Sequence, residues 1–147
     1  MKSFSEKLKQ ALFSLLPKTK TFSRITLKKT VADDITEIAK GSYPKEFIAL
    51  LKGDVKDDTL AIDGLIYQHF AASPHSASMT FDLPMISGAV GSVHSHPGPR
   101  NTPSSADLRF FNKRGFIHLI INYPYKYNNI ACYDFEGNRL DFSIENF

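Results

Sequence analysis

A single cysteine, Cys132, is the only thiol in 147 residues. It cannot form an internal disulfide, and in the run Ile130-Ala131-Cys132-Tyr133 it reads as a buried, inert strand residue. That speaks against a cysteine protease and for an intracellular, cytoplasmic setting. Long hydrophobic runs are missing too: no stretch approaches the roughly 20 apolar residues that a membrane-spanning helix needs. Lys7 and Lys9 interrupt any apolar core near the N-terminus, and no small-residue cleavage site follows Pro17, so a secretory signal is not expected. Strong net charge is also absent, because 18 Lys/Arg against 15 Asp/Glu leave only +3. The balance hides an asymmetry, with eight basic residues and one acid in the first thirty positions and ten against fourteen in the rest.

What is present is enough for one core. With 42% hydrophobic residues the chain can bury a single domain but hardly two. Residues 1–24 read as a basic extension in which Phe4, Leu8, Leu12, Leu15 and Leu16 recur near helical spacing, giving an amphipathic helix over 3–16 that Pro17 ends. Its apolar stripe needs a partner. Docking on this domain or on a second copy, as a homodimer, is the plain account; peripheral membrane contact or an acidic macromolecule are the alternatives. Nucleic-acid binding is not the expectation, since only this arm and Lys113-Arg114 support it, and the 12 Phe and 6 Tyr fall mostly in strand-like runs that read as core.

Residues 25–147 form the expected domain. A strand over 24–28 precedes an amphipathic helix over 31–40, capped by Thr30 and turning Ile35, Ile38 and Ala39 inward. Apolar runs follow from Glu46 onward, over 60–70, 88–95, 116–122 and 129–135, and Glu136-Gly137-Asn138 turns the chain into a last strand over 139–144. Strands and helices intermix, so the fold class is α/β, a mixed sheet with helices on its faces.

The chemistry concentrates in His94-Ser95-His96-Pro97 and Ser104-Ser105-Ala106-Asp107. Residues i and i+2 of a strand share a face, so the two imidazoles converge while Ser95 points away. Pro97 through Pro103 cannot continue the strand, which places both histidines at its end. From Ser104 the pattern turns helical up to a stop at Gly115, and Asp107 falls in the first turn, facing back toward the strand terminus. Ser104 to Asp107 also matches a helix N-cap with an acid three positions on, and the two readings are compatible. Two neutral imidazoles and a carboxylate form a catalytic zinc set with one open tetrahedral position for water, where a structural site would be closed by four ligands. One Zn2+ per chain is expected and no organic cofactor. His118, inside Phe116-Ile117-His118-Leu119, reads as a satisfied strand histidine, and His69 and His75 flank a polar connection.

The combined pattern, H-x-H-P followed after seven positions by S-x-x-D, resembles that of the JAMM (MPN-plus) metalloproteases, which include deubiquitinating enzymes and archaeal and bacterial relatives. The resemblance covers roughly residues 25–145. It implies the cytidine-deaminase-like α/β sandwich of MPN domains, with His94, His96 and Asp107 as zinc ligands and Ser104 as the hydroxyl that stabilises the tetrahedral intermediate. It also implies an upstream glutamate acting on the water. Glu46, in Tyr43-Pro44-Lys45-Glu46-Phe47-Ile48, matches the family's proline-x-glutamate segment; its rival, Glu37, lies on the solvated face of the expected helix. A carboxylate there can accept the water's proton and then protonate the leaving amine.

On substrate, the resemblance implies isopeptide or peptide bonds after the C-terminal glycine of a ubiquitin-like modifier or its conjugates. An extended glycine tail has no side chains to clash with the metal and can add to a strand edge, for which residues 72–83 are the candidate. The chain has no long insertion of the kind that gives eukaryotic relatives linkage selectivity, which points to a compact enzyme acting on small archaeal or bacterial modifiers. The alternatives are release of cysteine or another small group from a sulfur-carrier protein, and the non-catalytic scaffold role of metal-free MPN relatives.

Overall fold

The computed structural model describes residues 21–66, 88–111 and 115–147. The expected helix over 3–16, His69, His75, the strand edge over 72–83 and Lys113-Arg114 lie outside the described residues. The chain runs through β1 (Arg24–Lys28), α1 (Lys29–Ser42), β2 (Ile48–Lys56), β3 (Thr59–Ile66), β4 (Ala89–His96), α2 (Ser105–Phe111), β5 (Ile117–Asn122), a 3-10 turn (Tyr127–Asn129), β6 (Ile130–Asp134), β7 (Arg139–Leu140) and β8 (Ser143–Glu145). The strands form one sheet in the order β7-β6-β5-β4-β2-β3-β1-β8. It is mixed: β4 pairs parallel with β5, and β1 parallel with β3 and β8, while the remaining pairs are antiparallel.

Alternation along the strands sorts the core into two faces. On one face Ile117, Leu119 and Ile121 of β5 join Leu51, Leu60 and Ile62 beneath Val31, Ala32, Ile35 and Ala39 of α1. On the other, Ile120 and Ala131, with Tyr133, receive Phe111 of α2. The result is helix, sheet and helix in three layers, the α/β sandwich expected. A helix as short as α2, seven residues, does not hold itself in water. Its docking rests on the fully buried Phe111, whose burial is worth roughly 1.5–3 kcal/mol.

Two local expectations are corrected. Thr30 is not the cap of α1: β1 ends at Lys28 and the helix starts at Lys29, so no linker exists to supply a cap, and Lys28 occupies that position without a side-chain bond. The strand expected over 139–144 is two short strands at opposite edges of the sheet, β7 on β6 and β8 on β1. Only Asp141 and Phe142 separate them, and three residue steps span at most about 11 Å. The sheet therefore curls until its two edges nearly meet.

Gly91 sets the position of the strand that carries the histidines. A Cβ there would lie 1.7 Å from the Ile117 carbonyl oxygen, and Gly115, at φ +80, crosses directly over Gly91 as the chain returns into β5. Phe116 N–H donates to the Val90 oxygen at 2.7 Å and fixes that return. No helix among the described residues is long and apolar enough to cross a membrane.

Cys132 lies fully buried on β6, and burial pushes its thiol up to about 12. Alkylation proceeds through the thiolate, which at pH 8 is then populated at about one part in ten thousand. Intact mass should therefore show no iodoacetamide adduct on the folded protein at pH 8 and complete modification in denaturant.

Candidate metal centre

β4 delivers Ser92, His94 and His96 to the face that α2 covers, and Val93 to the other. Ser95 is fully buried and ties the strand to its neighbour: its Oγ accepts from Phe47 N–H at 2.9 Å, and its own N–H donates to the Phe47 oxygen at 3.1 Å. Past His96 the proline-rich loop leads to Ser104, where a reciprocal cap starts α2. Ser104 N–H donates to Asp107 Oδ2 at 2.7 Å, and Asp107 N–H donates to Ser104 Oγ at 3.1 Å. This cap turns the carboxylate back toward the end of β4. Asp107 Oδ1 lies 3.0 Å from His94 Nε2 and Oδ2 lies 3.1 Å from His96 Nε2, with the two Nε2 atoms 3.2 Å apart. The cap and the histidine contacts are made by one carboxylate.

These separations suit a cation. Donors at about 2.0–2.1 Å from an ion at tetrahedral angles sit roughly 3.3 Å from one another, close to all three distances observed. The histidines also present the right atoms. His96 Nδ1 is 3.0 Å from the Arg100 carbonyl oxygen, so it carries the proton and leaves the Nε2 lone pair facing the cluster. His94 is buried, and its Nδ1 has no hydrogen-bond partner among the described residues, so Nε2 makes its polar contacts. Electron-rich atoms crowded this closely require something positive among them, either a proton on an imidazole or a metal ion. Among the described residues, His94, His96 and Asp107 form the only group that could hold one.

The electrostatics agree. Burial by itself would lower the His96 pKa, but the hydrogen bonds to Asp107 and Arg100 and the charges of Asp107 and Glu46 outweigh it and raise the value. Burial would raise the Asp107 carboxyl, and the hydrogen bonds from His94, His96 and the Ser104 backbone, with the His94 charge, instead hold it well below the usual carboxylate range.

Sheet register brings Glu46 alongside. Ile48 pairs with His94 in the antiparallel β2–β4 ladder, and Phe47 exchanges hydrogen bonds with Ser95, so continuing the register sets Glu46 beside His96. Glu46 is exposed, as the end of β2 requires. Glu37 also faces solvent, but on α1, without a strand register to the cluster. Among the described residues Ser104 Oγ accepts one hydrogen bond and donates none, which leaves its proton to give. His118 stays apart from the cluster, buried, with Nδ1 2.6 Å from Ser92 Oγ and its ring stacked on Phe111 at 4.2 Å.

Residues 28–134 match the family described as prokaryotic homologs of the JAB domain. The chain belongs to this family, the prokaryotic branch of the JAMM proteins. The JAMM domain is 33% identical over 120 residues to a probable metalloprotease of Haloferax volcanii, covering 76% of this chain and 74% of that one. It superposes on the crystal structure of a JAB1/MPN domain protein from Archaeoglobus fulgidus with a TM-score of 0.64 and 34% identity, covering 82% of this chain and 99% of the other. A JAMM structure described as a metalloprotease-like zinc site in the proteasome and signalosome gives a TM-score of 0.63 and 32% identity, over 84% of this chain and all of that one. The three-layer fold is thus that of JAB1/MPN domains, and the chain is a metalloprotease-like JAMM domain.

Sequence reasoning missed the surroundings of the JAMM cluster. Tyr43 and Tyr123, each 51% exposed, pack their rings at 5.2 Å, and both lie against the buried Tyr125. Tyr123 N–H donates to the His96 oxygen at 3.2 Å, so this aromatic cluster lies at the sheet end that carries the centre, with Tyr125 in the core beneath α1. The repeated tyrosines of Tyr123-Pro124-Tyr125 were the available signal. The Arg100 carbonyl had none, since any residue type carries one.

Proposed function

We propose that this chain is a zinc-dependent peptidase or isopeptidase that cleaves the amide bond after the C-terminal glycine of a small ubiquitin-like modifier. The convergence of His94, His96 and Asp107 within 4.8 Å is the observation that carries the reading. When bound, zinc supplies Lewis acidity and brings the ionisation of water close to neutral pH. The other roles belong to the chain itself. Glu46, beside His96, takes the proton of the attacking water and passes it to the leaving nitrogen. The Ser104 hydroxyl, whose proton has no acceptor among the described residues, donates to the oxygen on which negative charge develops. The Arg100 carbonyl fixes the His96 ring. Tyr43 and Tyr123 offer flat, exposed rings at the same end of the sheet, a surface that an extended tail without side chains can approach closely.

Incubation of the zinc-loaded full chain with ubiquitin-like fusions and lysine conjugates, with and without chelator, tests this by intact mass. Scission immediately after the terminal glycine, abolished by chelator, is the expected result. Release of only a small group from a sulfur-carrier protein moves the activity to that substrate. No cleavage of any of them by metal-loaded protein leaves the scaffold role and overturns the proposal.

A further inference from the structure

The loop that joins the two halves of the cluster has little to hold it. Residues 97–103 contain Pro97, Pro99 and Pro103, and among the described residues they make no backbone-to-backbone hydrogen bond. Three bonds that involve side chains fix them instead. His96 Nδ1 donates to the Arg100 oxygen at 3.0 Å, Asn101 Nδ2 donates to the Asn129 oxygen at 3.0 Å, and Tyr133 Oη donates to the Asn101 oxygen at 2.8 Å.

We infer that Tyr133 is a positioning residue for the metal centre, bracing the supports of His96 and of Asp107 at once from the far side of the loop. The inference rests on the metal-binding reading of the cluster. Through its hydroxyl, Tyr133 holds Asn101, and so the adjacent Arg100 carbonyl that orients His96. Through its ring, it stacks on Phe111 with centroids 6.4 Å apart and planes 24° apart. Phe111 follows Asp107 by one helical turn on the same side of α2, and its ring lies 6.1 Å from that of His94. One side chain on β6 therefore backs the loop and the helix together while touching no ligand itself. Burial raises the phenol's pKa and outweighs the opposing effect of Arg139, so the hydroxyl keeps the proton it donates.

Tyr133→Phe separates the two supports, because the ring remains and the hydroxyl goes. Asn101 then loses a donor, the loop loses one of its three ties, and the Arg100 carbonyl is free to drift from His96. In the full chain, zinc affinity measured by competition with a chromophoric chelator should fall about 10-fold, the lower end of what partners outside a ligand set contribute. The visible absorption band of the Co2+-loaded protein should shift, because it reports ligand geometry. The melting temperature of the metal-free protein should fall by only about 3–5 °C, the size expected for one hydrogen bond in a domain of this length. Asn101→Ala, which removes the tie to Asn129, should move zinc affinity and the Co2+ band in the same direction, and it decides the matter if Tyr133→Phe does not fold. Thr36→Val is the control, since that hydroxyl bonds the Asp33 oxygen within α1 and takes no part in the brace, and it should change neither readout. Wild-type affinity and an unaltered Co2+ band in both Tyr133→Phe and Asn101→Ala overturn the brace alone. A wild-type chain that binds neither Zn2+ nor Co2+ overturns the metal-centre reading and the brace with it.

Discussion

Asp107→Asn is expected to yield a folded protein that no longer retains metal. The carboxylate has two separable duties, and the amide keeps only one of them. As an acceptor for Ser104 N–H it closes the reciprocal cap of α2, and an asparagine oxygen can accept that bond, so the roughly 1 kcal/mol that such a cap supplies is largely kept. As the anionic partner of both imidazoles it cannot be replaced, because an amide oxygen carries no net charge and is a poor ligand for a borderline-soft divalent ion. Loss of metal affinity should exceed the about 10–100-fold cost of losing a partner outside the ligand set. Elemental analysis after dialysis should find about one zinc per chain in the wild type and close to none in the variant, with the circular dichroism spectrum unchanged. Asp107→Ala removes both duties and should add a drop in melting temperature to the loss of metal. Were Asp107→Asn to keep its zinc, the carboxylate would be a cap and nothing more, and the third ligand would have to be sought elsewhere.

The contrast between these duties also shows how the sequence could be read. His94 and His96 were legible because a period of two forces alternate residues onto one face, and the prolines after them force the strand to stop there. Ser104 and Asp107 were legible because a cap is a local pattern of fixed spacing, and the structure shows that the cap itself aims the carboxylate at the histidines. The layers followed from the same periodicities. What stayed hidden was long-range. Whether residues 139–144 pair at one edge of the sheet or split between two depends on how far the sheet curls, which no window of the sequence contains. The tie from Tyr133 to Asn101 spans 32 positions and ends on a backbone oxygen, which has no residue-type signature. The Thr30 cap failed because the helix follows β1 without a linker, so the cap position falls on Lys28 and the helix starts at Lys29.

Glu46→Gln should leave the fold and the metal in place and remove most of the turnover. The side chain is exposed and the substitution changes a carboxylate to an amide of nearly the same size, so little packing is at stake. What changes is proton chemistry. Asp107 and Glu46 are the two carboxylates whose charges reach His96, and Asp107 is occupied by both imidazoles and by the Ser104 amide. Glu46 has no such partner among the described residues, and in the proposed reaction it accepts a proton from water and releases it to the nitrogen that departs. An amide does neither, so the loss should be on the order of 10²–10⁴ in kcat, the usual contribution of a positioned acid-base group. KM should change far less, because an uncharged tail gains nothing from the charge that is lost. Glu37→Gln, on the solvent face of α1, is the matched control and should cleave at the wild-type rate. If Glu46→Gln cleaves as fast as its control while holding a full complement of zinc, the proton is carried by some other group, and the register that sets Glu46 beside His96 serves only to start β2.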